Sequence, residues 1–284
     1  MTRWESLDHT IISEEEHSPQ VMGVINVTPD SFSDGGRFPS PSQAADHARI
    51  LAEQGAGLLD VGGESTRPGS DAVSLEVEIR RVIPTIEAIA STVNLPISVD
   101  TTKPEVARLA LRAGASIIND IQGLSDPAMI RLAAETGAAV VVMHMAGTPK
   151  SMQVDPHYSD VVREVYDTLA RRVDAAEEAG IPRSRIAIDP GIGFGKMFDH
   201  NLALLRNLDR FASLNCIILI GTSRKGFLGS ITGKPVDQRA IASVVSSLAA
   251  AVRGASVLRV HDVGPMVDAL KVWAAIQGWN PTRK

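Results

Sequence analysis

Cysteine is almost missing from this chain of 284 residues, with Cys216 standing alone. A single thiol excludes an intramolecular disulfide, and there is no C-x-x-C spacing for structural zinc or dithiol redox chemistry. Such sparing use fits a reducing compartment, and a cytoplasmic protein is the expectation. Positive charge is also short: 28 Lys and Arg face 33 Asp and Glu, a formal net charge of −5. That balance speaks against nucleic-acid partners and anionic membrane surfaces. Long apolar runs are lacking as well. The longest weakly polar stretch, Ile241 to Val252, is interrupted by serines and falls short of the ~20 residues a membrane span needs. The N-terminus, MTRWESLDHTIISEEEHS, lacks the basic start and apolar run of a signal peptide, so none is expected.

Several catalytic signatures are absent too. No His-x-x-x-His or H-E-x-x-H pair exists, which argues against tightly held zinc. No G-x-S-x-G elbow appears, and no G-x-G-x-x-G follows the first apolar run. The segment Gly191–Lys196 (GIGFGK) is too short between its glycines for a phosphate-binding P-loop. Its glycines read as bends over a site, and Lys196 as a solvated side chain. Cys216 falls inside an apolar run and reads as a small core residue.

What is present is a repeating pattern. Eight short β-branched runs recur: Val21–Val27, Leu58–Gly63, Pro96–Thr101, Ile117–Ile121, Ala139–Met145, Ile186–Gly191, Cys216–Thr222 and Ser256–Asp262. Their near-continuous hydrophobicity predicts strands buried on both faces. Between them lie helix patterns such as Ser42–Gln54, with Ser42 as a candidate N-cap, and Leu75–Val93, with a kink expected at Pro84. Pro104–Ala113, Tyr158–Ala179 and Asp237–Arg253 are three more. Eight strands alternating with helices define an α/β chain with a (β/α)8 TIM barrel as its fold. A doubly wound open sheet competes, but lacks its glycine fingerprint. Residues 1–18 read as a solvated N-terminal arm and 19–284 as one barrel domain, a length that a single α/β barrel accommodates.

In such a barrel, chemistry sits where strands end and βα loops begin. Those positions carry Asn26, Asp60, Asp100, Asn119, His144, Asp189, Ser223 with Lys225, and Arg259 with His261. The opposite ends are largely Ala, Pro, Leu and Cys. Carboxylates, amides and cations gathered on one rim predict a site for a polar ligand. The donor-rich loop Gly62–Gly69 (GGESTRPG), together with Arg259 and His261, is suited to an anion of the phosphate type. Magnesium fits such a site better than zinc, because it needs only one or two protein oxygens beside phosphate, and the Asn26 amide supplies one.

Eight segments, in order, resemble the dihydropteroate synthases, a pterin-binding barrel family of folate biosynthesis and the target of sulfonamides. They are Met22–Gly36 (MGVINVTPDSFSDGG), Asp60–Gly69 (DVGGESTRPG), Ser98–Val106 (SVDTTKPEV), Ile117–Ile121 (IINDI), Met143–Gln153 (MHMAGTPKSMQ), Asp189–Lys196 (DPGIGFGK), Ser223–Lys225 (SRK) and Arg259–Val263 (RVHDV). The resemblance implies a transferase that joins 6-hydroxymethyl-7,8-dihydropterin diphosphate to p-aminobenzoate, releasing diphosphate. It implies that Asp100, Asn119, Asp189 and Lys225 hold the pterin. It places Asn26, Thr66, Arg67, Arg259 and His261 on the diphosphate, with Mg2+ at Asn26, and Phe32, Thr66, Pro68 and Ser223 around p-aminobenzoate. It names Asp34, Arg67 and Lys225 as catalytic, with Asp34 meeting Arg67 when the first two loops close. It also implies a homodimer, for which the late helix face Val267–Ile276 is a candidate. Two other readings share part of this pattern: a pterin-binding methyl transferase acting on a corrinoid, and a non-catalytic pterin-binding paralogue.

Overall fold

The structure, a computed structural model, describes residues 3–6, 9–12, 18–28, 40–66 and 69–277. Its first elements are two short strands, β1 (Trp4–Glu5) and β2 (Thr10–Ile12), paired antiparallel. Eight parallel strands then close into a barrel: β3 (Gln20–Asn26), β4 (Leu58–Gly62), β5 (Ile97–Asp100), β6 (Ile117–Asp120), β7 (Ala139–Met143), β8 (Ile186–Asp189), β9 (Ile217–Ile220) and β10 (Val257–Val260). β10 pairs with both β3 and β9, which completes the ring. Each coincides with one of the eight apolar runs, so the (β/α)8 barrel is the fold.

The helices lie between the strands: α1 (Pro41–Glu53), α2 (Leu75–Ala90), α3 (Pro104–Ala113), α4 (Pro127–Thr136), α5 (Val161–Glu178), α6 (Phe198–Arg206), α7 (Gly226–Thr232), α8 (Ala240–Val252) and α9 (Val263–Ile276). Their ends follow local chemistry. Pro104 opens α3 and Gly114, at φ 117°, closes it. The N-cap of helix α1 lies two residues before the expected Ser42. Ser40 is the true cap: its hydroxyl accepts from the Gln43 amide while the Gln43 side chain accepts from the Ser40 N–H, and Pro41 fits the first turn. Pro84 lies inside α2 without ending it, and Ser91 caps it short of Val93. Among the described residues no helix is long and apolar enough to cross a membrane.

The barrel interior is divided by height. Its lower rungs are apolar, built from Met22, Leu58, Ile117, Val141, Ile217, Leu219 and Val257 in one buried cluster. On β4, β6 and β10 the inward positions two residues further along turn polar: Asp60 follows Leu58, Asn119 follows Ile117, and Arg259 follows Val257. The same cluster contains Trp4, Ile11 and Ile12, which corrects the expectation of a solvated arm. Trp4 is wholly buried, and its indole N–H donates to the Arg185 carbonyl at 3.2 Å. The N-terminal hairpin therefore plugs the bottom of the barrel, because the lowest apolar rungs need a cover.

Candidate active site

The polar rungs converge at the C-terminal mouth. Asp60 of β4 is fully buried and accepts from Arg259 Nε of β10 at 2.6 Å and from Asn119 Nδ2 of β6 at 3.3 Å. Arg259 also donates through Nη2 to Asp100 of β5 at 3.1 Å. One guanidinium thus bridges two buried carboxylates. Burial, together with the negative charge of Asp60, pushes the Asp100 carboxyl up to about 7, against the pull of Arg259. Asp189, at the end of β8, is raised by burial, and is held back by its Gly191 N–H donor at 2.7 Å and the charges of Lys225, Lys196 and Arg259.

Lys225 begins α7 and leans across this group. Burial and the neighbouring Arg259 lower its ammonium to about 8, opposed by Asp189 and Asp100. Its Nζ sits 3.9 Å from the centre of the Phe194 ring. Its stem packs over Gly193, where an added methyl group would lie 3.0 Å from Lys225 Cδ. On the far side, the Ser223 hydroxyl accepts from the His261 N–H at 3.2 Å and lies 3.0 Å from His261 Nδ1. Burial, then the charges of Arg259 and Arg224, push His261 down to about 3. At neutral pH it therefore offers a neutral ring rather than the cation expected beside Arg259. Arg224 is bound through two nitrogens to Asp262 at 2.7 and 3.2 Å.

The loop after β4 is anchored at its base. Lys103 reaches both Glu64 and the buried Glu78, the latter at 2.5 Å, while Arg81 donates to the Gly63 carbonyl at 2.7 Å. These contacts carry Thr66 to the rim.

The mouth encloses a cavity of about 800 Å³. Asn26, Thr66, Asp100, Asn119, Asp189, Ser223, Lys225, Arg259 and His261 all line it. Phe32, Asp34, Arg67 and Pro68 lie outside the described residues. The sequence reading placed Asp60 at the rim without its partners, and it missed the parts that Phe194 and Lys196 play. Asp60 has a structural part, holding Arg259 and Asn119. Phe194 supplies an aromatic wall. Lys196, expected in solvent, is only 3% exposed and also lines the cavity. The one signal for it was its place at the end of a glycine-rich turn directly after a strand-end aspartate. Among the described residues no group of three or more His, Cys, Asp or Glu is placed to hold a metal ion.

A closed (β/α)8 barrel with buried carboxylates, an amide and a lysine around a cavity at its C-terminal mouth has the form of a barrel enzyme for a polar ligand. The family model for pterin-binding enzymes matches residues 22–261. The dihydropteroate synthase of Escherichia coli (strain K12) is 48% identical over 254 residues, covering 89% of this chain and 90% of that protein. A Xanthomonas albilineans dihydropteroate synthase solved with 4-aminobenzoic acid superposes with a TM-score of 0.90 at 48% identity, covering 99% of this chain and 100% of that one. A structure of the same enzyme in complex with 7,8-dihydropteroate gives 0.84 at 48% identity, over 93% and 95%. The chain belongs to the pterin-binding enzyme family and, within it, to the dihydropteroate synthases, which are transferases.

Proposed function

We propose that this cavity condenses 6-hydroxymethyl-7,8-dihydropterin diphosphate with p-aminobenzoate to give 7,8-dihydropteroate and diphosphate, by loss of diphosphate ahead of full bonding to the amine. The observation that carries the reading is that Asp100, Asn119, Asp189 and Lys225 line one cavity together. A pterin presents an amino group and ring N–H donors on one edge and a carbonyl with N5 on another. Carboxylates accept parallel hydrogen bonds from the first edge, and an ammonium donates to the second. The complexes of the Xanthomonas enzyme with 4-aminobenzoic acid and with 7,8-dihydropteroate support the same pair of ligands here.

No base is needed to start the reaction, because an aromatic amine is a neutral nucleophile at pH 7. Its nitrogen bonds to the exocyclic carbon of the pterin, the C–O bond breaks with its electron pair going to diphosphate, and the surplus ammonium proton leaves to solvent. The barrier lies in expelling diphosphate, so groups that stabilise the departing charge matter most. Asn26, Thr66, Arg67, Arg259 and His261 are assigned to that end, and Phe32, Thr66, Pro68 and Ser223 to the p-aminobenzoate. Asp34 and Arg67 are assigned to loop closure. Asn26, whose amide offers one oxygen, lines the cavity, and among the described residues no group of three or more His, Cys, Asp or Glu is placed to hold a metal there. That donor suits Mg2+, whose other ligands would come from diphosphate and water. When bound, Mg2+ supplies positive charge for the leaving group. The test is diphosphate release measured with each substrate alone and with both. Release is expected only with both; release from the pterin diphosphate alone, or none, would overturn the reading.

A homodimer is the proposed assembly. The candidate late-helix face of α9 exposes Val272 and Ile276, but a larger apolar surface lies beside it. Helices α6, α7 and α8 enclose a groove of about 570 Å³ lined by Leu205, Phe227, Ile231, Ile241 and Val245. Ile241 is 75% exposed and Val245 62%, and a contiguous exposed apolar face of this kind suits an interaction surface. Val245→Arg is expected to convert a dimer to a monomer in light scattering after size exclusion. An unchanged dimer mass would place the interface elsewhere.

A further inference from the structure

The pterin reading leaves unused the most deeply buried cation at the mouth, Lys196. The residue is 3% exposed and packed between the end of β7 and the turn after β8, at the edge of the cavity. Nζ lies 2.9 Å from the Phe194 carbonyl, 3.0 Å from His144 Nδ1 and 3.3 Å from the His144 carbonyl. Burial lowers the Lys196 ammonium to about 7, with Asp189 opposing the shift and Lys225 adding to it; in the protonated form its three protons face three acceptors. For Nδ1 to accept, the imidazole must be neutral with its proton on Nε2. Burial and the facing Lys196 charge keep His144 well below the usual histidine range, which agrees. The turn itself is shaped for this insertion. Gly191 and Gly193 sit at φ 71° and 84°, and a methyl group on Gly191 would run into the His144 carbonyl.

The contacts run in both directions from Asp189. Its carbonyl accepts from the His144 N–H at 2.9 Å, and its carboxylate accepts from Gly191 N–H. Phe194, whose carbonyl Lys196 holds, presents its ring to Lys225. We propose that Lys196 is a positioning residue for the pterin: its ammonium clasps the turn 191–196 to the end of β7, so that Asp189, the Phe194 ring and Lys225 keep the spacing of one slot. Lys196 touches no substrate in this scheme. It acts through Phe194 and His144, and the inference rests on the pterin reading of the cavity.

Lys196→Met keeps the length and removes the three donors. The KM for the pterin diphosphate is expected to rise about tenfold, the loss of a buried charged hydrogen-bond set. The KM for p-aminobenzoate and the kcat are expected to stay within twofold of the parent. A general structural role predicts something else: a lowered melting temperature and parallel changes for both substrates, and that result overturns the proposal. So does an unchanged KM for the pterin diphosphate. His144→Phe breaks the same clasp from β7 and is expected to shift the same KM in the same direction. It keeps the proposal testable should Lys196→Met fail to fold. Combined in one chain, the two changes are expected to cost no more than the larger one alone, since they act on one contact; full additivity overturns the clasp. Asp189→Asn serves as the reference. If it too leaves pterin binding intact, the pocket assignment fails, whereas a loss with Asp189→Asn and none with Lys196→Met sinks the clasp alone.

Discussion

Asp189→Asn is expected to lower kcat/KM for the pterin diphosphate by about a thousandfold, at saturating p-aminobenzoate. The aspartate is buried at the tip of β8, and one of its oxygens is already held by the Gly191 N–H at 2.7 Å. The charges of Lys225, Lys196 and Arg259 favour its ionised form against the cost of burial. An ionised carboxylate accepts from ring N–H and amino donors, and such charged hydrogen bonds contribute about 1.5–3 kcal/mol each. The amide that replaces it loses the charge and turns an NH2 donor towards a donor edge. Two lost contacts amount to about 4 kcal/mol, which converts to about three powers of ten. Steady-state kinetics with a melting curve as control will measure it. A change below tenfold in a folded variant would remove Asp189 from the pterin edge.

Arg259→Met is expected to cost about 3–5 kcal/mol of stability at pH 8, the scale for stripping one partner from a buried ion pair. Asp60 and Asp100 both depend on this guanidinium, and among the described residues no second cation bridges them. The pH dependence has a definite sign. Asp100 has a folded pKa of about 7, above its ordinary value of 3.8. Its contribution to stability is therefore fully present below about 4 and is lost as pH rises through about 7. Without Arg259 that pKa rises further, so ionisation penalises the variant more. Its deficit against the parent should be largest above neutrality and shrink towards pH 5, where Asp100 takes up its proton. Urea unfolding at the two pH values measures this, and a deficit independent of pH would contradict the bridging role.

The eight strands were legible because each is buried on both faces, so their positions are nearly all apolar until the chain reaches the mouth. The polar residues at strand ends were legible for the complementary reason: a run of Val and Ile that stops at Asp100, Asn119 or Asp189 marks the height at which the interior meets its ligand. What sequence could not convey was partnership across the barrel. Asp60 reads as one more strand-end carboxylate until strand register sets it against Arg259, 199 positions away. His261 reads as a cation until burial and Arg259 make it neutral. Lys196 reads as solvated because lysine usually is, and only the left-handed glycines before it turn the chain so that it points inward. The hairpin was missed because three apolar residues, Trp4, Ile11 and Ile12, sit among polar neighbours with no period long enough to register.

That hairpin gives the molecule two ends with separate duties. The mouth gathers buried like charges and partly desolvated cations, an arrangement that subtracts from stability in order to hold a ligand. The plug lies at the opposite end of the same strands, where Trp4 contributes burial without touching any residue of the cavity. Substitutions around Trp4, Ile11 and Ile12 can therefore raise or lower the reserve of folding free energy with little leverage on the chemistry. A change at the mouth that weakens the fold has somewhere remote to be compensated, and the family match that begins at residue 22 leaves that compensating segment outside its bounds.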